Sequence, residues 1–127
     1  MAYKLLIVDD SKLARMSAAK ALNALHPEWT RVEAANADEA LALAKGGSFD
    51  IALLDFNMPG RDGLDLAAAL RMENPTMPLA VVSANHQDEI VARAKAIGAA
   101  FLPKPLTEAS LRTFLQGAVT QLEAAKT

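Results

Sequence analysis

Three aspartates lie where two apolar runs of the chain end, and side chains of this type can bind a cation. Asp55 follows the run 51–54, while Asp9 and Asp10 together follow the run 5–8. A carboxylate that ends an apolar strand before a turn faces solvent or a ligand. Carboxylates held close together repel one another, and a divalent cation relieves that repulsion. The three aspartates are therefore candidates for one site.

The chain alternates between apolar runs and segments with helical spacing, which is typical of parallel strands joined by crossover helices. The candidate strands are residues 4–8, 31–35, 51–54, 79–82 and 100–102. Five such units are too few for a barrel of eight. The sequence therefore predicts an α/β fold, a doubly wound five-stranded parallel sheet in the flavodoxin-like order 2-1-3-4-5, with helices on both faces.

The predicted strand order bears directly on the aspartates. In that order the first and third strands are neighbours, at the point where the winding of the chain reverses. Ligands of doubly wound sheets bind at the carboxyl ends of the strands near this reversal. Because Asp9, Asp10 and Asp55 follow these two strands, we expect them to meet at one edge of the sheet.

Length, composition and net charge restrict the kinds of protein, and of binding partner, that are compatible with this chain. The 127 residues suffice for a single domain, 1–127, and we expect no attached output domain. A net charge of −2 and a pI near 5.6 provide no basic field for nucleic acid or an anionic membrane. The lack of cysteine excludes disulfides and thiolate metal sites. With no signal peptide and no apolar run of about 18 residues, the sequence predicts a soluble cytoplasmic protein.

Five short motifs follow one another along the chain, most of them at the ends of predicted strands. They are Val8-Asp9-Asp10-Ser11, Leu54-Asp55-Phe56-Asn57-Met58-Pro59, Asp62-Gly63, Val82-Ser83-Ala84, and Gly98-Ala99-Ala100-Phe101 leading to Lys104-Pro105. Through these motifs the chain resembles the receiver domains of two-component response regulators over essentially its whole length. It is similar in particular to the stand-alone, single-domain type found among the chemotaxis regulators. The resemblance implies a phosphorylation-dependent signalling switch and not a conventional enzyme.

The resemblance implies that Asp55 is the nucleophile of a phosphoryl transfer. Asp55 would take the phosphoryl group from a phosphohistidine of a histidine kinase or a histidine phosphotransfer protein, forming an aspartyl phosphate. Lys104 would neutralise the phosphoryl oxygens, and the Ser83 hydroxyl would bond to one of them after transfer. The protein would catalyse its own phosphorylation and dephosphorylation and convert no other substrate.

The same resemblance implies that the aspartates bind a divalent cation, Mg²⁺ or Mn²⁺. Asp10 and Asp55 would bind it directly, together with the backbone carbonyl of Asn57, and Asp9 would act through a water. Three carboxylates and the ammonium of Lys104 sum to −2, so one such cation brings the site to zero. Oxygen ligands at an open strand edge suit Mg²⁺, which keeps several of its waters. No other cofactor is expected.

Switching and output are also implied by the resemblance. Movement of Ser83 toward the phosphoryl group would free space for the ring of Phe101, and the lack of a hydroxyl on this ring favours an inward position. A downstream protein would bind through the fourth helix, the fifth strand and the fifth helix, roughly Gln87 to Gln121. The output of the chain is therefore expected to be contact with another protein.

The residues around Lys104 depart from the family pattern at one place, since Pro103 stands where an aliphatic residue is common. Proline cannot donate a ladder hydrogen bond, so it is tolerated at a sheet edge, where the fifth strand lies in the proposed order. The resemblance also implies that the Lys104–Pro105 bond is cis. The resemblance also implies that Asn57 and Asn85 flank the route of water to the phosphoryl group. Because both are small neutral amides, we expect hydrolysis of the phosphate at an ordinary rate.

Each motif taken alone also has a plain structural interpretation. Asp9, Asp10 and Ser11 could cap the first helix, and Asp55 could start a turn. A flavin- or nucleotide-binding protein of this topology would need a glycine-rich loop after the first strand, and this sequence has none. An aspartate-based phosphatase would carry an Asp-x-Asp motif after the first strand, and this sequence lacks one. The main alternative is a receiver fold that serves only as an unphosphorylated docking module.

Overall fold

The computed structural model describes residues 3–47, 49–58, 62–84 and 87–125. Strands and helices alternate throughout these residues, as the sequence predicts. They are β1 Lys4–Val8, α1 Lys12–Leu25, β2 Thr30–Ala34, α2 Ala37–Gly46, β3 Ile51–Asp55, α3 Gly63–Glu73, β4 Leu79–Ser83, α4 Asp88–Ala96, β5 Ala99–Pro103 and α5 Glu108–Ala125. Within the described ranges, no helix is both long enough and apolar enough to cross a membrane.

The strands form one parallel sheet in the order β2-β1-β3-β4-β5, which confirms the predicted fold class. β1 pairs with β3 in a register that sets Val8 opposite Leu54. The residues that follow these two strands therefore lie at the same edge of the sheet. The winding of the chain reverses between β1 and β3, as in other doubly wound folds.

Helices cover both faces of the sheet, which explains why the central strands are apolar on consecutive residues. α1 and α5 pack on one face, against Leu5, Ile7 and Leu53. α2, α3 and α4 pack on the other face, against Leu6 and Leu54. Because successive side chains of a strand alternate between the two faces, the residue after Leu54 returns to the face that α1 and α5 cover.

The ends of the strands differ from the prediction by one residue at several places. β2 starts and ends one residue earlier than predicted, because Thr30 pairs with Lys4 of β1. β3 and β4 each extend by one residue, to Asp55 and Ser83, and β5 is longer by one residue at each end. Pro103 ends β5 opposite Ser83, on an edge strand as predicted. Pairing with the neighbouring strand, more than local apolarity, sets these ends.

Aromatic rings pack together at the amino ends of β1 and β2, opposite to the edge that carries the aspartates. The buried ring of Trp29 lies edge-on to Tyr3, with centroids 5.3 Å apart, and is stacked on His26 at 3.8 Å. His26 is the C-cap residue of α1, and its Nδ1 lies 3.8 Å from a carboxylate oxygen of Glu28. The Tyr3 hydroxyl donates a hydrogen bond of 2.8 Å to Glu123. This aromatic cluster joins α1 and α5 to the start of the sheet.

The guanidinium of Arg71 joins the carboxyl ends of two helices. At the end of α3, it donates hydrogen bonds to the carbonyls of Pro75 at 3.1 Å and Met77 at 2.7 Å. It also reaches the end of α4, where the carbonyls of Ile97 and Gly98 accept at 3.0 Å each. Burial lowers the pKa of the Arg71 guanidinium, while the carbonyl ends of both helices favour a cation there. Arg71 therefore ties α4 to the rest of the domain.

Candidate functional site

The aspartates predicted from the sequence come together at the carboxyl edge of the sheet. A carboxylate oxygen from each of Asp9, Asp10 and Asp55 lies within 4.8 Å of the others. Asp55 is 3% exposed and Asp9 is 9% exposed, whereas Asp10 is open to solvent. Negative charges that are so close and so little hydrated are unfavourable unless a cation balances them. The acid cluster, defined by these three residues, is thus a candidate cation site.

Lys104 brings a positive charge to the acid cluster. Its Nζ lies 2.5 Å from Oδ1 of Asp55, and the lysine side chain is 32% exposed. The residue directly follows β5, and its backbone amide donates a hydrogen bond of 3.0 Å to the carbonyl of Ser83 at the end of β4. The Lys104–Pro105 bond is cis, the isomer that the resemblance implies. Two strands therefore fix the backbone from which the lysine reaches the aspartates.

Asp9 is held by hydrogen bonds at its amide, its side chain and its carbonyl. The amide donates to the carbonyl of Ala34 in β2 at 3.1 Å, and Oδ1 accepts from the amide of Ser11 at 2.9 Å. The backbone carbonyl accepts from Nη1 of Arg15 at 2.6 Å. Burial raises the pKa of the Asp9 carboxyl, the hydrogen bond from Ser11 lowers it, and the charge of Asp55 raises it. The net rise means that the ionised Asp9 destabilises the folded state.

We expect Asp9→Asn to raise the Tm of the metal-free protein near neutral pH. A carboxyl whose pKa is higher in the folded state binds more protons when folded, so its destabilising effect grows as pH rises from its ordinary pKa through the raised one. The gain in Tm should therefore be present above this range and vanish below about pH 3.9. Thermal unfolding followed by circular dichroism in the presence of a chelator measures it.

A matched control for this experiment is Asp38→Asn, which changes an exposed aspartate in the first turn of α2. Its carboxylate lies near the positive end of a helix dipole, so its loss should not stabilise the protein. An equal gain from both variants, or a gain for Asp9→Asn that grows as pH falls, would contradict the role assigned to burial.

The other predicted site residues lie beside the acid cluster or one strand away. Asn57 is exposed, and its backbone N–H donates a hydrogen bond of 3.3 Å to Oδ1 of Asp55. Ser83 ends β4 and is fully buried, so its hydroxyl does not reach solvent. Phe101 in β5 is half-buried and packs against the core on the face that α4 covers. Asn85 lies outside the described residues.

Helix capping accounts for some of the sequence motifs but not for the acid cluster. Ser11 is the N-cap of α1, where its Oγ accepts from the amide of Ala14 at 3.2 Å. Asp62 caps α3 in the same way, accepting from the amide of Asp65 at 2.8 Å. The plain structural interpretation is therefore right for Ser11, while Asp10 extends from the same loop toward the other acids.

Two residues shape the site in ways that the sequence did not predict. Gly63 opens α3 so close to β3 that a Cβ at this position would overlap the backbone carbonyl of Asp55. This glycine belongs to a sequence motif, and the close approach explains why no larger residue fits. Arg15 of α1 reaches back to the carbonyl of Asp9 and pairs with Glu33 of β2. No sequence signal indicated Arg15, because an arginine on an amphipathic helix is usually exposed.

A cavity of about 490 Å³ adjoins the acid cluster on the face of the sheet that α1 covers. Asp55 and Lys104 line its polar end, while Ala14, Ala18 and Leu106 are among the apolar residues that line the rest. The small side chains of α1 leave this space open. The cavity therefore gives a group bound to Asp55 room beside the buried carboxylate.

The donor set fits a divalent cation such as Mg²⁺. The clustered side chains offer only carboxylate oxygens, and the exposed Asp10 leaves one side open to water. Mg²⁺ prefers oxygen ligands in octahedral geometry and keeps several waters. With Lys104 included, the side chains carry a formal charge of −2, which one such ion balances.

Comparisons with known proteins are consistent with this arrangement. A family model described as response regulator receiver domain matches residues 5–116. The chain is 36% identical over 121 residues to the glycerol metabolism activator of Pseudomonas putida, covering 94% of this chain and 53% of that protein. It is 33% identical over 112 residues to chemotaxis protein CheY-3 of Vibrio cholerae, covering 86% of this chain and 85% of that protein.

Solved structures extend the comparison to the fold. Chemotaxis protein CheY4 of Vibrio cholerae superposes with a TM-score of 0.84 and 30% identity, covering 93% of this chain and 99% of that one. A CheY-like receiver domain protein from Methanospirillum hungatei gives 0.87 and 25% identity, over 98% and 99% of the two chains. The chain spans about half the length of the first curated relatives that it matches, and most of the length of the chemotaxis proteins.

Proposed function

The chain belongs to the response regulator receiver domain family, and on this premise we propose that it is a phosphorylation-dependent switch whose phosphoryl acceptor is Asp55. Receiver domains are signalling proteins of two-component systems and are not conventional enzymes. The observation that carries the proposal is the Lys104 ammonium on the Asp55 carboxylate, within the acid cluster. A buried carboxylate that has a cation beside it and a cavity next to it is suited to accept a phosphoryl group.

The proposed step is transfer from a phosphohistidine of a histidine kinase or a histidine phosphotransfer protein. A carboxylate oxygen of Asp55 bonds to phosphorus while the bond from phosphorus to the imidazole nitrogen breaks, and the histidine keeps that electron pair. Lys104 offsets negative charge on the phosphoryl oxygens. Asp10, Asp55 and the backbone carbonyl of Asn57 would hold a Mg²⁺ or Mn²⁺ ion, with Asp9 acting through a water, and the ion would supply further positive charge when bound.

Ser83 and Phe101 form the proposed switch. Ser83 is fully buried, and its backbone carbonyl accepts from the amide of Lys104, so the two residues that contact the phosphoryl group are coupled. A hydroxyl drawn outward to the phosphoryl oxygens leaves space next to β5, and the half-buried ring of Phe101 moves into it. The surface that changes is made of α4, β5 and α5, roughly Gln87 to Gln121, where a downstream protein binds.

The alternative is a docking module that is never phosphorylated. Such a module would share this fold, but it would have no use for a lysine held on a buried aspartate beside two further acids. Like charges held close together lower the stability of the fold. The presence of the acid cluster therefore favours the interpretation as a switch over that as a docking module. The proposed output is protein contact, and the proposed site of action is the cytoplasm, where the sequence predicts this protein.

Phosphorylation of Asp55 can be tested with Mg²⁺ and acetyl phosphate. The unchanged chain should gain the mass of one phosphoryl group, and Asp55→Asn should not. A chelator should abolish the gain while the circular dichroism spectrum stays unchanged. Asp50→Asn is a matched control, because Asp50 bonds to the amide of Lys4 at the other end of the sheet. If neither acetyl phosphate nor a phosphorylated kinase modifies the unchanged chain, the docking module is the better interpretation.

Exposed apolar side chains on α1 offer a docking surface for the phosphoryl donor protein. Leu13 is 74% exposed and Met16 is 56% exposed, within the first two turns after the loop of the acid cluster. We expect the double variant Leu13→Ser, Met16→Ser to slow phosphorylation by a histidine kinase about 10-fold. Its rate with acetyl phosphate should not change, because a small donor needs no docking surface.

The matched control for this prediction is Met72→Ser, which changes a side chain that is 86% exposed on α3. It should leave both rates unchanged. Phosphoryl transfer is followed with a kinase that modifies the unchanged chain, with each donor in separate reactions. Equal slowing with the kinase and with acetyl phosphate would show damage to the site itself and contradict a docking role.

A further inference from the structure

The loop between β1 and α1 carries two of the clustered acids, and the structure holds these two acids in different ways. Asp9 is bonded at its amide, its side chain and its carbonyl. Asp10 makes no side-chain hydrogen bond or ion pair with another described residue. The position of the Asp10 carboxylate therefore depends on the backbone of the loop, and that backbone depends on the contacts of Asp9.

Arg15 provides one of these contacts and is itself held in a fixed orientation. Its Nη1 donates to the carbonyl of Asp9 at 2.6 Å, and its Nε lies 3.1 Å from Oε1 of Glu33. The arginine side chain is only 16% exposed. A planar guanidinium that bonds in two directions holds its orientation better than a flexible ammonium would. Since Glu33 lies in β2, Arg15 connects the loop to the edge strand as well as to α1.

We propose that Arg15 is a positioning residue. By holding the carbonyl of Asp9, it keeps the Asp10 carboxylate in position to bind the divalent cation. The inference rests on the cation site of the proposed function. Groups that orient the ligand-bearing part of a metal site raise its affinity without touching the metal, and their loss typically weakens binding 10-fold to 100-fold. Arg15 acts in this way from α1, on a residue of the loop that leads into that helix.

The charge of Arg15 makes the inference sharply testable, because simple electrostatics predicts the opposite result. A cation beside the acid cluster repels Mg²⁺, so its removal alone would tighten Mg²⁺ binding. If Arg15 positions the loop, its removal instead weakens binding. The sign of the change in Kd therefore distinguishes a positioning role from a mere charge effect, and a loss of global stability alone would leave Kd unchanged.

The experiment is an NMR titration of the unphosphorylated chain with Mg²⁺, following the backbone amide signals of Asp10 and Asn57. We expect Arg15→Ala to raise the Kd about 10-fold. Arg15→Lys keeps the charge but cannot span both partners, so it should raise the Kd by a smaller factor. Arg112→Ala, which removes an exposed pair with Glu108 on α5, should have no effect. Circular dichroism shows whether each variant is folded at the titration temperature.

Each outcome decides the inference. An unchanged or lower Kd in Arg15→Ala overturns it, and so does an equal rise in Arg112→Ala. If Arg15→Ala does not fold, the conservative variant Arg15→Lys decides alone, and an unchanged Kd there overturns it. If the unchanged chain does not bind Mg²⁺, the cation site of the proposed function fails as well, so the two failures are distinguishable.

Discussion

Replacement of Lys104 by methionine should slow phosphorylation by acetyl phosphate about 100-fold, while Mg²⁺ binds at least as tightly as before. The lysine Nζ lies 2.5 Å from the Asp55 carboxylate, where, on the proposed function, it would meet the negative charge of the transferred group. Loss of one preorganised donor of this kind typically costs about 10²-fold to 10³-fold in rate. Removal of the ammonium also leaves the negative charge of the three carboxylates unbalanced, which favours the binding of Mg²⁺.

The initial rate of the mass gain, at saturating Mg²⁺ and acetyl phosphate, measures this effect. Lys95→Met is a suitable control, because Lys95 is an exposed lysine near the end of α4. A rate close to that of the unchanged chain would show that Lys104 only pairs with Asp55 in the resting state. A parallel loss of Mg²⁺ affinity would show instead that the lysine acts by shaping the acid cluster.

The second large effect concerns stability, since Arg71→Met should lower the free energy of unfolding by about 3 kcal/mol. Hydrogen bonds that involve a charged group each contribute about 1.5 to 3 kcal/mol, and water replaces some of them when the guanidinium is lost. The carbonyls of Met77, Ile97 and Gly98 would lose their donor together. Because Arg71 bonds to the carbonyls at the end of α4, we expect the packing of this helix on the sheet to loosen first.

Urea unfolding of matched variants tests the role of Arg71. Arg71→Lys should recover little of the loss, because an ammonium cannot reach the ends of α3 and α4 at once. Arg112→Met removes an exposed pair on α5 and should cost less than about 0.5 kcal/mol. A loss below about 1 kcal/mol for Arg71→Met would mean that water satisfies the exposed carbonyls as well as the arginine does.

The fold was predictable because its signals are local and repeated. Consecutive apolar residues in the central strands indicate a sheet covered on both faces, and the two packed faces of the structure agree. The acid cluster was predictable for the same reason, because Asp9 and Asp10 directly follow β1 and Asp55 ends β3, and the topology makes these two strands neighbours. In both cases residue type and position in the chain carry the information.

Arg15 and Arg71 were not predictable, although both bond to several groups. Arg15 donates to one backbone carbonyl and Arg71 to several, and since every residue has a carbonyl, no residue type in the sequence marks these partners. The close approach of Gly63 to Asp55 likewise depends on how α3 packs on β3, which local propensity does not determine. The exact strand ends depend on the partner strand in the same way.

The aromatic cluster at the amino edge of the sheet has a practical consequence for all these measurements. Trp29 is the single tryptophan of the chain, and it is buried between Tyr3 and His26. A strand of five residues spans about 16 Å, so this ring lies a full strand length from the carboxylates. Its fluorescence should change when the chain unfolds and stay constant when the site fills. We therefore expect Trp29 to provide an optical signal of unfolding that is independent of ligand occupancy.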